Sequence, residues 1–373
     1  MQLKPFALDI WLDTYAHDVP FNLAASTGPA WTANEILELA GNAERERYLN
    51  HPLTYGRGTG SDGLRAAIAE MHGVDSECVQ VVTGASEALL ILFWLAASPG
   101  ANVVLPQPGF PTFAALPESL GIETRFYRIR RENGFRIDLD EIEALSDAGT
   151  KLILVNNPHN PTGATVGDAE MQTLNDFAAV RGITLVSDEV YHPIYHAGAT
   201  QSAARLPNAT VISDFSKAFP LAGTRAGWIV ERDPQRREAY LNARRYFSVS
   251  NNAAGEILAE IAVRARQTIW RKSQEVASRN LETLDAFMTQ RRDTFGWIRP
   301  LGGMTAFPWL LSGDDARGFC RTAADRGVLL APGDCFGAPD HFRIGFAAAG
   351  DRFADALERL AGIEQLIDRA LTR

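Results

Sequence analysis

Cysteine is scarce in this sequence: Cys78, Cys320 and Cys335 are the only three in 373 residues. An odd and scattered set builds neither a disulfide framework nor a metal-ligand cluster, and it suits a reducing compartment, so a cytoplasmic location is expected. Long apolar runs are also missing. The most apolar stretch, Ala88 to Ala97, is about half the length needed to span a bilayer, and Met1 to Asp18 mixes charged with apolar residues, unlike a signal peptide or membrane anchor. Clustered positive charge is absent as well. With a formal net charge of −9 and no Lys/Arg run, neither nucleic acid nor a membrane is expected as a partner. No internal repeat or low-complexity linker interrupts the chain.

What is present is enough apolar residue, 46%, for a sizeable core, in a length that suits two domains or one large domain with an appendage. From Cys78 onward short β-branched runs alternate with helical patterns. Cys78–Val82, Asn102–Leu105, Leu152–Asn156, Ile183–Ser187 and Thr210–Ser213 read as strands. Such alternation predicts an α/β fold with a mainly parallel sheet between helices, whose ligands sit beyond the strands' carboxyl ends. Asp138 with Glu141 three residues on marks a helix start. A long helical pattern runs from about Gln235 to Gln290, and Trp297 to Arg373 reads as strand, helix, strand, strand, helix. The expected organisation is an N-terminal arm and part of a small domain over residues 1–45, a large ligand-binding domain over 46–276, and the rest of the small domain over 277–373.

Four stretches carry chemistry. In Val81-Val82-Thr83-Gly84-Ala85-Ser86-Glu87 a strand turns through small residues into a helix, exposing N–H groups and a dipole that favour a phosphate; Ser86 as a simple cap is the plain alternative. Asn156-Asn157-Pro158-His159-Asn160-Pro161-Thr162-Gly163 is a rigid polar loop at a strand's carboxyl end. Ser187-Asp188-Glu189-Val190-Tyr191 ends a strand in a carboxylate, with a phenol three residues later. The most specific is Ser213-Asp214-Phe215-Ser216-Lys217-Ala218-Phe219-Pro220, continuing through Gly223-Thr224-Arg225. Lys217 lies among apolar residues, which favours the neutral amine that attacks carbonyls, and Arg225 offers a two-pronged donor to phosphate.

These stretches, in this order, resemble the class I/II aminotransferases, fold-type I enzymes dependent on pyridoxal 5'-phosphate. The similarity runs from Tyr55-Gly56-Arg57-Gly58-Thr59-Gly60 to His341-Phe342-Arg343-Ile344-Gly345-Phe346. Arg245 to Asn252, Glu256 and Ser-Asp-Phe-Ser-Lys look most like a bacterial branch that includes capreomycidine synthase. The resemblance implies a seven-stranded type of sheet and an internal aldimine on Lys217. It implies phosphate contacts from Gly84, Ala85, Ser86, Ser216 and Arg225, with Tyr55 arriving from the second subunit of a homodimer. Asp188 is expected on the pyridine nitrogen, Asn160 and Tyr191 on the phenolic oxygen, and Phe110 on the ring face. Arg343 is expected on the substrate α-carboxylate, with Gly28 and Asn160 nearby.

The implied reaction moves an amino group from an L-amino acid to a 2-oxo acid; elimination, replacement or ring closure is the alternative. Where many relatives of this type carry a phosphate-binding serine three residues before the lysine, this chain has Asp214, a carboxylate expected to point away or hold another group. His192 and His196 share a metal-like spacing, but Pro193 interrupts their helix and no metal is expected. His159 either tunes the site or is satisfied by backbone. The turn Gly302-Gly303-Met304 either shapes the substrate side of the small domain or is a plain hairpin.

Overall fold

The computed structural model describes residues 2–17 and 19–371, with side chains described as far as Gly362; Met1, Asp18 and residues 372–373, which the expected domain ranges include, lie outside them. A seven-stranded sheet forms the centre: β1 (Val79–Val82), β2 (Asn102–Gln107), β3 (Glu123–Arg128), β4 (Thr150–Asn156), β5 (Thr184–Asp188), β6 (Ala209–Asp214) and β7 (Gly227–Val230). Their spatial order is β1-β7-β6-β5-β4-β2-β3. Neighbours run parallel except β7, which lies antiparallel between β1 and β6.

Successive side chains of a strand face opposite ways, and here both faces are covered. Ile153, Val155, Leu185 and Val211 join one apolar cluster, while Leu152, Leu154, Val186 and Ile212 join the other. That is why these strands read as continuous apolar runs rather than as alternation. The helix Gly84–Ala96 packs on the second face together with Pro234–Phe247.

Two strands went unread in the sequence. Glu123–Arg128 is the sheet's edge and partly polar, and Gly227–Val230 is only four residues long. The long helical region is three helices, Pro234–Phe247, Ala253–Arg264 and Arg266–Thr289; Val249, at φ +64°, lies in the first break. Asp138 does cap its helix, accepting from the N–H groups of Asp140 and Glu141. The Glu141 side chain turns instead to Arg128 and Arg130.

The two ends of the chain meet. Phe21–Asn22 pairs in parallel with Val328–Leu329, and the helix Ala7–Tyr15 is pinned by a 2.8 Å hydrogen bond from Trp11 Nε1 to the Leu330 carbonyl. Phe342–Gly345 is the middle strand of a small antiparallel sheet with Thr305–Ala306 and Ala331–Pro332. A Cβ on Gly345 would fall 1.8 Å from the Ala25 carbonyl oxygen. Only glycine lets residues 23–25 lie against that strand beside Arg343. Among the described residues no helix is long and apolar enough to cross a membrane.

Candidate active site

Three neighbouring strands, β4, β5 and β6, end in Asn156, Asp188 and Asp214, and all three residues line a cavity of about 360 Å³. The segments that follow them contribute Asn160, Tyr191 and Lys217. This is the carboxyl edge of the sheet, where the crossover geometry gathers loops.

Asp188 is 5% exposed. One of its oxygens accepts the Val190 N–H at 3.2 Å, and it has no ion pair among the described residues. Burial, reinforced by the charges of Asp214 and Glu189 and opposed by the Val190 bond and Lys217, pushes its pKa up to about 7. A carboxylate so placed lacks a cation. The Tyr191 hydroxyl, in a side chain 1% exposed, has no hydrogen-bond partner.

Arg343 is 3% exposed and donates to Asn160 Oδ1 at 2.9 Å and to the Ala24 carbonyl at 2.7 Å, over the ring of Phe336. Burial lowers its pKa, and its Nε–H has no partner. Lys217 is half-buried, with Nζ donating to Ser26 Oγ at 3.0 Å. Phe110 lines the cavity and meets the ring of Phe6.

The start of the helix Gly84–Ala96 supplies another wall through Ala85 and Ser86. Gly84 holds φ +77°, and a Cβ there would sit 3.0 Å from an Arg225 nitrogen. Arg225 itself is left-handed, at φ +51°, a conformation that non-glycine residues adopt mostly where a site demands it.

Asp214 takes the second of its two expected arrangements and holds other groups. It holds Ser216 through N–H and Oγ, at 2.8 and 2.6 Å, yet its other oxygen accepts the Ala85 N–H at 3.3 Å. The free donors of the helix start draw the carboxylate toward this wall instead of away from it. Gly28 lies next to the lining residues Ser26 and Thr27 without lining the cavity itself, and a Cβ there would sit 2.8 Å from Ser273 Oγ. Tyr55 is 86% exposed and does not reach the cavity of its own chain.

His159 bonds Thr162 at 2.8 Å and burial brings its pKa down to about 3, leaving it neutral. His192 and His196 bond Tyr195 and the Gly303 carbonyl. Lining residues outside the expected set include Phe113, Asn156, whose amide bonds the Asp188 carbonyl, and Leu8, Asp9 and Leu12. The helical spacing of Leu8, Trp11, Leu12 and Tyr15 was the available signal for the last three.

The family model for class I and II aminotransferases matches residues 22–360. The chain belongs to this family. Among similar proteins, capreomycidine synthase of Streptomyces vinaceus is 31% identical over 297 residues, which span 78% of this chain and 76% of that one. An arginine–pyruvate transaminase of Pseudomonas aeruginosa is 28% identical over 318 residues, 81% of this chain and 80% of that one. The crystal structure of a PLP-dependent aminotransferase from Streptococcus suis superposes with a TM-score of 0.92 over 98% of both chains, at 26% identity. Relatives in the class I and II family include lyases as well as aminotransferases.

Enzymes of this aminotransferase family depend on pyridoxal 5'-phosphate. The cavity suits that cofactor: Asp188 lacks a cation, the buried Tyr191 hydroxyl lacks a partner, and a helix start beside Arg225 offers donors for a phosphate.

Proposed function

We propose that the protein is a homodimeric aminotransferase that transfers the amino group of an L-amino acid to a 2-oxo acid. One observation carries the reading: Lys217, the cation-seeking Asp188, Tyr191 with its unpartnered hydroxyl and Arg343 with its unpartnered Nε all line one cavity.

In this reading Ala85, Ser86, Ser216 and Arg225 hold the cofactor phosphate, Gly84 keeps the approach open, and Tyr55 is delivered by a second copy. Exposed Leu53 and Tyr246, at 92% and 84%, support such a partner. Bound there, pyridoxal 5'-phosphate supplies an electron sink for a bond broken at the substrate Cα. Asp188 keeps a proton on the ring nitrogen, and Phe110 covers a ring face. Asn160, whose oxygen is taken by Arg343, presents its amide N–H with the Tyr191 hydroxyl to the phenolic oxygen. Arg343 receives the α-carboxylate on its free Nε edge and so orients the Cα–H bond. Lys217 holds the cofactor aldehyde and, once released, moves the α-proton.

We also assign residues 46–276 to the large domain, and 1–45 with 277–373 to the small one. The Phe21–Asn22 pairing with Val328–Leu329 supports that grouping. Three free, buried cysteines support a reducing cytoplasm.

Likeness to capreomycidine synthase favours a second reading, a lyase or cyclase that expels a side-chain substituent or closes a ring. The same residues serve both. Incubation with an amino-acid panel, with and without a 2-oxo acid, separates them. Transamination converts the bound cofactor to pyridoxamine phosphate and yields a 2-oxo product by mass spectrometry. Ammonia or a cyclic product without that conversion overturns it in favour of the second reading.

A further inference from the structure

Six charged side chains line the cavity: Asp9, Asp188, Asp214, Lys217, Arg225 and Arg343. Five are engaged by nearby groups, Arg343 by Asn160 and Ala24, Asp214 by Ser216 and Ala85, Lys217 by Ser26, Asp188 by Val190, and Arg225 by the Ala222 carbonyl. Asp9 has no hydrogen bond or ion pair with any described residue. It also has no part in the chemistry assigned above.

Asp9 is exposed, but the helix that carries it is anchored. It sits in the first turn of the helix Ala7–Tyr15, between Leu8, which is buried, and Leu12, both of which line the same cavity. The helix is held by the Trp11–Leu330 hydrogen bond, by the Arg317 guanidinium over the Trp11 ring at 5.2 Å, and by Phe6 against Phe110. Two charges bear on the Asp9 carboxyl: Asp13, one turn on, and Lys217. Partial burial and Asp13 raise its pKa, and Lys217 works against them. Like charges four residues apart weaken a helix, and a cation brought in by a ligand relieves both carboxylates.

We propose that Asp9 selects substrates whose side chain ends in a positive charge, so that the enzyme acts on long-chain cationic amino acids. This rests on the amino-acid-binding reading above and adds the identity of the distal group. Arg343 takes the α-carboxylate, Leu8, Leu12 and Phe110 offer an apolar wall to the methylenes, and Asp9 meets the terminal ammonium or guanidinium. An acidic side chain meets repulsion at the same point, so Asp9 also rejects competitors.

The test uses cofactor-saturated enzyme with arginine, ornithine, citrulline, norleucine and glutamate. The cofactor absorbance is titrated for binding, and kcat/KM is measured with a 2-oxo acid. Arginine or ornithine exceeds citrulline and norleucine by about three- to fivefold, the upper end for an exposed charge pair, and glutamate is poorest. Which of the two leads distinguishes guanidinium from ammonium recognition. Asp9→Asn brings the arginine-to-citrulline ratio to within about twofold, whereas Asp13→Asn, outside the lining, retains most of it. A ratio unchanged in Asp9→Asn, equal losses in both variants, or citrulline matching arginine in the parent overturns the assignment. If none of the five perturbs the cofactor spectrum, this assignment fails, and the aminotransferase reading fails with it only when the general amino-acid panel is silent as well. If norleucine or glutamate does so as well as arginine, only this one fails.

Discussion

Asp188→Asn in the cofactor-free protein makes the structure's electrostatics measurable as stability. A carboxyl raised from 3.8 to about 7 is favoured in its protonated form by the fold. Between those values the native state therefore binds more protons than the unfolded chain, and stability falls as pH rises through the window. The full difference corresponds to roughly 4 kcal/mol, of which roughly 2 to 3 kcal/mol develops between pH 5 and 8. Asparagine keeps an acceptor for the Val190 N–H and carries no charge, so it escapes this penalty. Urea unfolding of the two apo-proteins, followed by fluorescence at pH 5, 6, 7 and 8, is the assay. The variant gains on the parent by that amount across the series, and saturation with pyridoxal 5'-phosphate removes the parent's disadvantage. The neutral buried histidines, His72 and His159, contribute equally to both proteins and cancel in the difference. Parallel pH profiles would refute the reasoning.

Lys217→Ala abolishes turnover and the borohydride-trapped adduct, while cofactor still binds through the phosphate contacts; a trapped adduct in the variant contradicts the assignment. Asp214→Ser removes a carboxylate from the helix start and frees the Ala85 N–H, so cofactor binds roughly tenfold more tightly in equilibrium dialysis; unchanged or weaker binding rejects the competition. Arg244 is fully buried and pairs with Glu87 at 3.5 Å. Arg244→Ala leaves that buried carboxylate with the Thr83 N–H and the Ser248 hydroxyl but no counter-charge and lowers stability by about 3 kcal/mol, read as a fall in Tm, and adding Glu87→Gln recovers part of the loss. Arg343→Lys loses the planar donor edge, which raises KM for the amino acid by about tenfold or more; an unchanged KM places the α-carboxylate elsewhere.

Strand ends proved legible because burial on both faces leaves a plain trace in composition: runs such as Leu152–Asn156 have no solvent side to encode. Glu123–Arg128 left no such trace, since an edge strand with alternating charge resembles a loop. The places of Asp188, which ends a strand, and of Asn160 and Lys217, which come within four residues of strand ends, were readable from the apolar runs before them. The bond from Arg343 to Asn160 spans 183 positions, and nothing local in either segment encodes it. That Asp214 holds other groups follows from its repulsion with a phosphate, but which groups they are depends on the unpaired N–H groups of a helix start 129 positions away. Asp9 escaped notice because its significance depends on a helix near the amino end folding over residues more than a hundred positions away.

That helix has a practical corollary. Because the helix Ala7–Tyr15 lines the cavity through Leu8, Asp9 and Leu12, a purification tag fused ahead of it is held close to the site and can alter the kinetic constants measured there.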